Sequence, residues 1–130
     1  MDPAGVYNEF IQTLKKYINK FNKEDKFYPA GYNVRFDLDF LAAFFSKTGD
    51  PYFGLWFNWR AIDALAIVRF FEFCGDGLTT RTDQKLETVC NAYGIKLDTA
   101  HDALSDIRAT RELLLKMKEI AIAGQIGKGK

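Results

Sequence analysis

Three side chains carry the chemistry that this sequence offers: His101, Asp106 and Asp37. His101 is the only histidine, and it precedes Asp106 by five residues on a segment with helical periodicity. At about 100° per residue, Asp106 falls on the apolar face of that helix, where a carboxylate is unusual. A buried carboxylate needs a partner, because its desolvation costs several kcal/mol unless it is ion-paired, protonated or bound to a metal.

Asp37 repeats this pattern on an earlier helix, where it shares a face with Leu41 and Phe44 while Asp39 faces the opposite side. Two inward carboxylates and one imidazole predict a site for Mg²⁺ or Mn²⁺, which prefer carboxylate oxygens and water. A neutral imidazole beside such a cation can take a proton from an attacking water. Simpler interpretations stay open. Asp37 is a helix N-cap, and Asp106 is either a first-turn carboxylate favoured by the helix dipole or a carboxylate paired with a core arginine.

The elements that must position these residues follow from apolar periodicity and from turn residues. Helices are predicted over residues 6–21, 36–46, 64–74, 82–93 and 102–120, with Gly94 as the C′ residue of the fourth. One short strand is predicted to end near Asn33, and a second leads into Asp63, which we expect to be structural. Helices alternating with short strands predict an α/β fold.

Composition limits the class of protein further. The 130 residues predict one domain over 1–123 and a flexible tail over 124–130. Twelve Phe and six Tyr indicate a packed globular chain, and a net charge of +1 neither requires nor excludes nucleic acid. Cys74 and Cys90 are expected to be free core thiols in a reducing compartment. We find no signal peptide and no apolar run of membrane-spanning length, so a cytoplasmic protein with no membrane contact is expected.

Two segments resemble motifs of a known family. Segment 31–41, GYNVRFDLDFL, resembles the second motif of the DEDDh 3′–5′ exonucleases, and His101-x-Ala103-x-x-Asp106 resembles their third. This family includes the proofreading epsilon subunit of bacterial DNA polymerase III and ribonuclease T. The connecting segments 62–63 and 89–95 are also similar, so the resemblance covers roughly residues 27–115.

The resemblance implies a ribonuclease H-like fold and two-metal hydrolysis, with Mg²⁺ or Mn²⁺, at the 3′ end of DNA or RNA. It assigns Asp37 and Asp106 to the metal site and His101 to the role of general base. Asn33 and Phe36 are expected to shape the second motif. These two residues, with Trp59 and Arg60, are the candidate contacts to nucleic acid, although an aromatic cluster such as 56–60 is more often core plus edge strand.

The family's first motif, Asp-x-Glu on the opening strand, is absent from the sequence. We therefore expect an exonuclease fold truncated at its N-terminus and inactive as an isolated chain. The missing strands predict self-association, or a partner that supplies them. One competing hypothesis is a non-enzymatic module, derived from the same fold, that binds nucleic acid or another protein. A second is an inert fragment that completes its sheet through self-association.

Overall fold

The computed structural model describes residues 2–76, 83–98 and 102–124. It has a mixed α/β fold that is mostly helical, as the sequence predicts. The elements in chain order are α1 (Pro3–Lys15), β1 (Ala30–Gly31), α2 (Val34–Lys47), a 3₁₀ turn (Phe53–Leu55), β2 (Ile62–Asp63), α3 (Ala64–Phe71), a π-helical turn (Glu72–Asp76), α4 (Leu86–Ala92) and α5 (Ala103–Ile122). None of the helices in these ranges is both long and apolar enough to cross a membrane.

The two predicted strands form one small parallel sheet, β1 beside β2. An isolated parallel bridge pairs Phe27, which lies before β1, with Phe57, which lies before β2. Within the described ranges each strand pairs only with the other, so each has one side without a strand partner. Unpaired strand edges expose backbone donors and acceptors that another chain can bind.

The chain forms two compact units, and the expectation of a single domain over 1–123 stays a prediction. The first unit comprises the described residues of 1–30 and 34–62. Its core is aromatic: Phe45 is fully buried and makes edge-to-face contacts with Tyr7 and Phe53, each at 5.3 Å between ring centroids. The Tyr7 hydroxyl donates a hydrogen bond to Asp50, and burial together with this bond raises the pKa of Tyr7 to about 12. Tyr7 therefore stays protonated and fixes the loop after α2.

The second unit comprises the described residues of 31–33 and 63–130. In it, α3 and α4 both pack on α5. Its buried cluster consists of Ala64, Val68, Phe71, Val89, Cys90, Ala109, Leu113 and Met117. The core is therefore built mainly from one stripe of α5 and the apolar faces of the two shorter helices.

Several predicted boundaries and burial states need correction. The first helix ends at Lys15, not near residue 21, and Tyr17 and Phe21 are exposed. Asparagine and aspartate side chains bind backbone amides after residue 18 and compete with helix continuation. Cys90 is a buried free thiol as expected, whereas Cys74 is exposed because it lies in the turn after α3.

Candidate functional site

Asp106 lies in the first turn of α5. The helix begins after Asp102, whose side chain accepts a hydrogen bond of 2.8 Å from the Ser105 N–H. This bond lowers the pKa of Asp102, which remains a charged N-cap at neutral pH. At about 100° per residue, Asp106 lies on the helix circumference between Leu113 and Met117, two residues of the packed stripe.

Asp106 is nevertheless exposed, so the expectation of a buried carboxylate is wrong. The buried stripe of α5 starts at Ser105 and Ala109, and at this first turn the neighbouring elements leave the Asp106 side chain uncovered. Asp106 still lies near the core, because its negative charge adds to burial in raising the pKa of the Cys90 thiol to about 11. The Asp106 carboxylate is therefore accessible to solvent at the N-terminal end of the packed face of α5.

Asp37 has the corresponding position in α2. It is the fourth residue of that helix, so the N-cap interpretation is wrong and the first-turn position is observed. By the same helical spacing it shares a side with Leu41 and Phe44, as predicted. Asp37 is exposed, so its expected burial is also wrong, whereas Asp39 is exposed as predicted and forms an ion pair with Arg35 at 3.5 Å.

The residue before α2 is held by a specific backbone contact. Asn33 has a φ of +59°, a left-handed conformation that asparagine tolerates better than most residues. Its N–H donates to Asp63 Oδ1 at 2.8 Å, and the same oxygen accepts the Leu65 N–H at 3.0 Å. Asp63 is therefore the N-cap of α3 and a structural residue, as predicted.

The other predicted nucleic-acid contacts are accessible. Phe36 is 70% exposed, and Trp59 is 83% exposed with the Arg60 guanidinium 5.6 Å from its ring centroid. The rest of the aromatic cluster is core, since Trp56 is buried and Phe57 stacks on Phe53 at 4.9 Å. The cluster of residues 56–60 is therefore partly core and partly exposed, and its contact with nucleic acid stays a prediction.

The predicted metal centre of Asp37, Asp106 and His101 stays a prediction. Asp37 belongs to the first unit, Asp106 belongs to the second, and His101 lies outside the described residues. Among residues 2–76, 83–98 and 102–124, no three His, Cys, Asp or Glu side chains form a group that could hold a metal ion. The donor chemistry of two exposed carboxylates suits a hard cation, but two carboxylates are fewer than a closed two-metal site requires.

Sequence reasoning missed one buried carboxylate, Glu72. It is 1% exposed, and Gln84 Nε2 donates to both of its oxygens at 3.4 Å. The sequence offers a signal for it, because Glu72 interrupts the aromatic run 70–73 at the end of an apolar helix. Its partner Gln84 is twelve residues away, which a local pattern does not reveal.

Comparisons with known proteins give no independent family assignment. No protein-family model matches the chain, and a search of curated proteins finds no match.

Proposed function

We propose that the chain is a DEDDh-type 3′–5′ exonuclease domain with a ribonuclease H-like fold. One observation carries the proposal beyond the sequence motifs. Asp37 and Asp106 occupy equivalent positions, because each lies in the first turn of its helix and is exposed. Each also lies on the side of its helix where later residues are packed. A carboxylate held this way is fixed by a rigid helix yet accessible to a solvated cation.

The proposed chemistry divides among three residues. Asp37 and Asp106 present negatively charged oxygens to divalent cations, and their assignment to one shared site rests on the sequence resemblance. His101 accepts the proton of the attacking water. Two bound cations would stabilise the attacking and leaving oxygens of the phosphodiester.

The chain lacks the Asp-x-Glu pair, which in this family supplies the principal metal ligands. We therefore expect the protein alone, with Mn²⁺, to shorten a 5′-labelled single-stranded oligonucleotide far more slowly than about 1 nucleotide per second, the low end of ordinary enzyme rates. A peptide of alternating apolar residues that contains Asp-x-Glu is expected to restore 3′ shortening, because β1 and β2 leave strand edges to pair with it.

The matched control is the same peptide with Asn-x-Gln, which keeps the strand pattern and removes both charges. Restored digestion only with the acidic peptide supports the proposal. Processive shortening by the protein alone, at ordinary enzyme rates, contradicts the expected inactivity and means that other carboxylates complete the site.

A non-enzymatic role is the second candidate, favoured by the apolar surface of α2. Phe36 and Phe40 are 70% and 68% exposed on the side of the helix away from Val34 and Phe45, which are buried. Exposed apolar patches often mark interaction surfaces. Soluble association with the peptide, or with a second copy of the chain, in the absence of any digestion would favour this candidate.

A further inference from the structure

A basic and aromatic groove lies just after α1 in the first unit. It has a volume of about 450 Å³, and it is lined by Lys15, Lys16 and Lys20 together with the rings of Tyr17, Phe21 and Trp56. Of these rings, Tyr17 is 68% exposed and Phe21 is 87% exposed, whereas Trp56 forms the buried floor. From the sequence alone, the lysines appear only as the solvated face of a helix and the two exposed rings as its core face.

Local hydrogen bonds explain why these rings point outward. Ile18 is buried and anchors the segment, while its neighbours leave the helical path. The Asn19 side chain accepts the Phe21 N–H at 3.1 Å, and Asp25 accepts the Asn19 N–H at 2.8 Å. The turn therefore holds Phe21 off the apolar face that a continuous helix would give it.

The groove is ordered by its own contacts. The Lys20 ammonium lies 5.4 Å from the Phe21 ring centroid and 5.9 Å from that of Trp56. The Tyr17 ring makes an edge contact with Phe27 at 6.3 Å between centroids, which leaves most of Tyr17 open to solvent. The Tyr17 and Phe21 rings therefore each have a neighbouring side chain and still expose most of their surface to a flat ligand.

The electrostatics of the groove favour an anion. Three lysines line it, and among the described residues that form its walls there is no carboxylate. The Asp25 carboxylate accepts the Asn19 N–H at 2.8 Å, and the three lysines outnumber it. Ammonium groups beside open aromatic rings match a polymer that alternates phosphates with flat bases.

We propose that this groove binds single-stranded nucleic acid, with bases stacked on Tyr17 and Phe21 and phosphates beside Lys15, Lys16 and Lys20. The choice of nucleic acid over other polyanions rests in part on the proposed function. The groove uses none of the residues assigned to hydrolysis, so binding and catalysis can be tested separately.

The experiment measures fluorescence anisotropy of a labelled twelve-nucleotide oligo-dT with the full chain in EDTA, where metal-dependent hydrolysis does not occur. Replacing the three lysines with glutamine is expected to reduce the slope of log Kobs against log salt by about 2, since each phosphate contact to a single strand contributes about 0.7. The double variant Tyr17→Ala/Phe21→Ala is expected to weaken binding at least about tenfold. An oligomer of abasic sites should bind wild type and the double variant equally.

The matched control replaces Lys96, Lys116 and Lys118 with glutamine, so its net charge equals that of the groove variant. These three lysines are exposed and belong to the second unit. The control variant should keep nearly the full salt slope, and circular dichroism verifies that every variant folds. An equal reduction of the salt slope in the two triple variants would overturn the proposal. An unchanged affinity for oligo-dT in the Tyr17→Ala/Phe21→Ala variant would also overturn it. Binding that depends on the groove but occurs only with vesicles containing phosphatidylserine would also overturn it, in favour of a membrane surface. A protein that binds oligo-dT as described, but digests nothing even with Mn²⁺ and the Asp-x-Glu peptide, would refute the proposed function and leave the groove assignment standing.

Discussion

His101→Ala is expected to slow 3′ nucleotide removal by about 10²- to 10⁴-fold when Mn²⁺ and the Asp-x-Glu peptide are both present. This is the range that a positioned general base contributes to proton transfer. Alanine removes the only imidazole of the chain, so no second histidine can replace it. The measurement is single-turnover digestion of a 5′-labelled oligonucleotide, which separates the chemical step from product release.

The pH profile distinguishes a base from a structural histidine. The rate for the unsubstituted protein should rise with pH through an inflection as the general base loses its proton, and His101→Ala should lose that inflection. Asp39→Asn is the control, because Asp39 is exposed and forms only a surface ion pair with Arg35. A His101→Ala rate within a few-fold of the parent, with an unchanged pH profile, would remove His101 from the mechanism.

Leu113→Ala is expected to lower the free energy of unfolding by about 2 to 5 kcal/mol, the usual cost of truncating a fully buried leucine. Leu113 is 0% exposed and belongs to the buried cluster that α3, α4 and α5 form in the second unit. Loss of the side chain removes its transfer free energy and leaves a cavity among close-packed neighbours. Urea unfolding followed by circular dichroism measures the change.

The same substitution at Leu115 provides the control. Leu115 lies on the same helix but is 43% exposed, so Leu115→Ala removes far less buried surface. We expect its cost to stay below about 1 kcal/mol, as for most surface substitutions. Similar costs at the two positions would contradict the packing of α5 described above.

Local patterns in the sequence predicted the α/β class and much of the secondary structure. The helix around Asp37 and the long helix after Asp102 are confirmed within a few residues, and Gly94 has the positive φ of 75° expected after a helix. Helical spacing also placed Asp37 and Asp106 on the sides of their helices that carry packed residues, although neither carboxylate is buried. Each of these features depends on residues within one or two turns of each other.

The errors came from information that a helical wheel lacks. A wheel gives the angle of Asp106 but not how far along α5 the neighbouring helices extend, so it predicted burial where the first turn is open. In the turn after α1 the Asn19 N–H donates to Asp25, and the buried Glu72 accepts a hydrogen bond from Gln84. Such contacts form only when the chain closes a loop, and amphipathic periodicity does not encode them.

The central claim, that Asp37 and Asp106 serve one cation site, can be tested by Mn²⁺ titration of the isotope-labelled full chain. Paramagnetic broadening would be followed at the backbone amides of the first turns of α2 and α5. We predict that both turns broaden together, and that Asp37→Asn weakens broadening in α5 while Asp106→Asn weakens it in α2. Asp39→Asn, which removes an exposed carboxylate from the same helix as Asp37, should change neither. If Asp37→Asn affects only α2, or if Asp39→Asn has the same effect as Asp37→Asn, the shared cation site is contradicted.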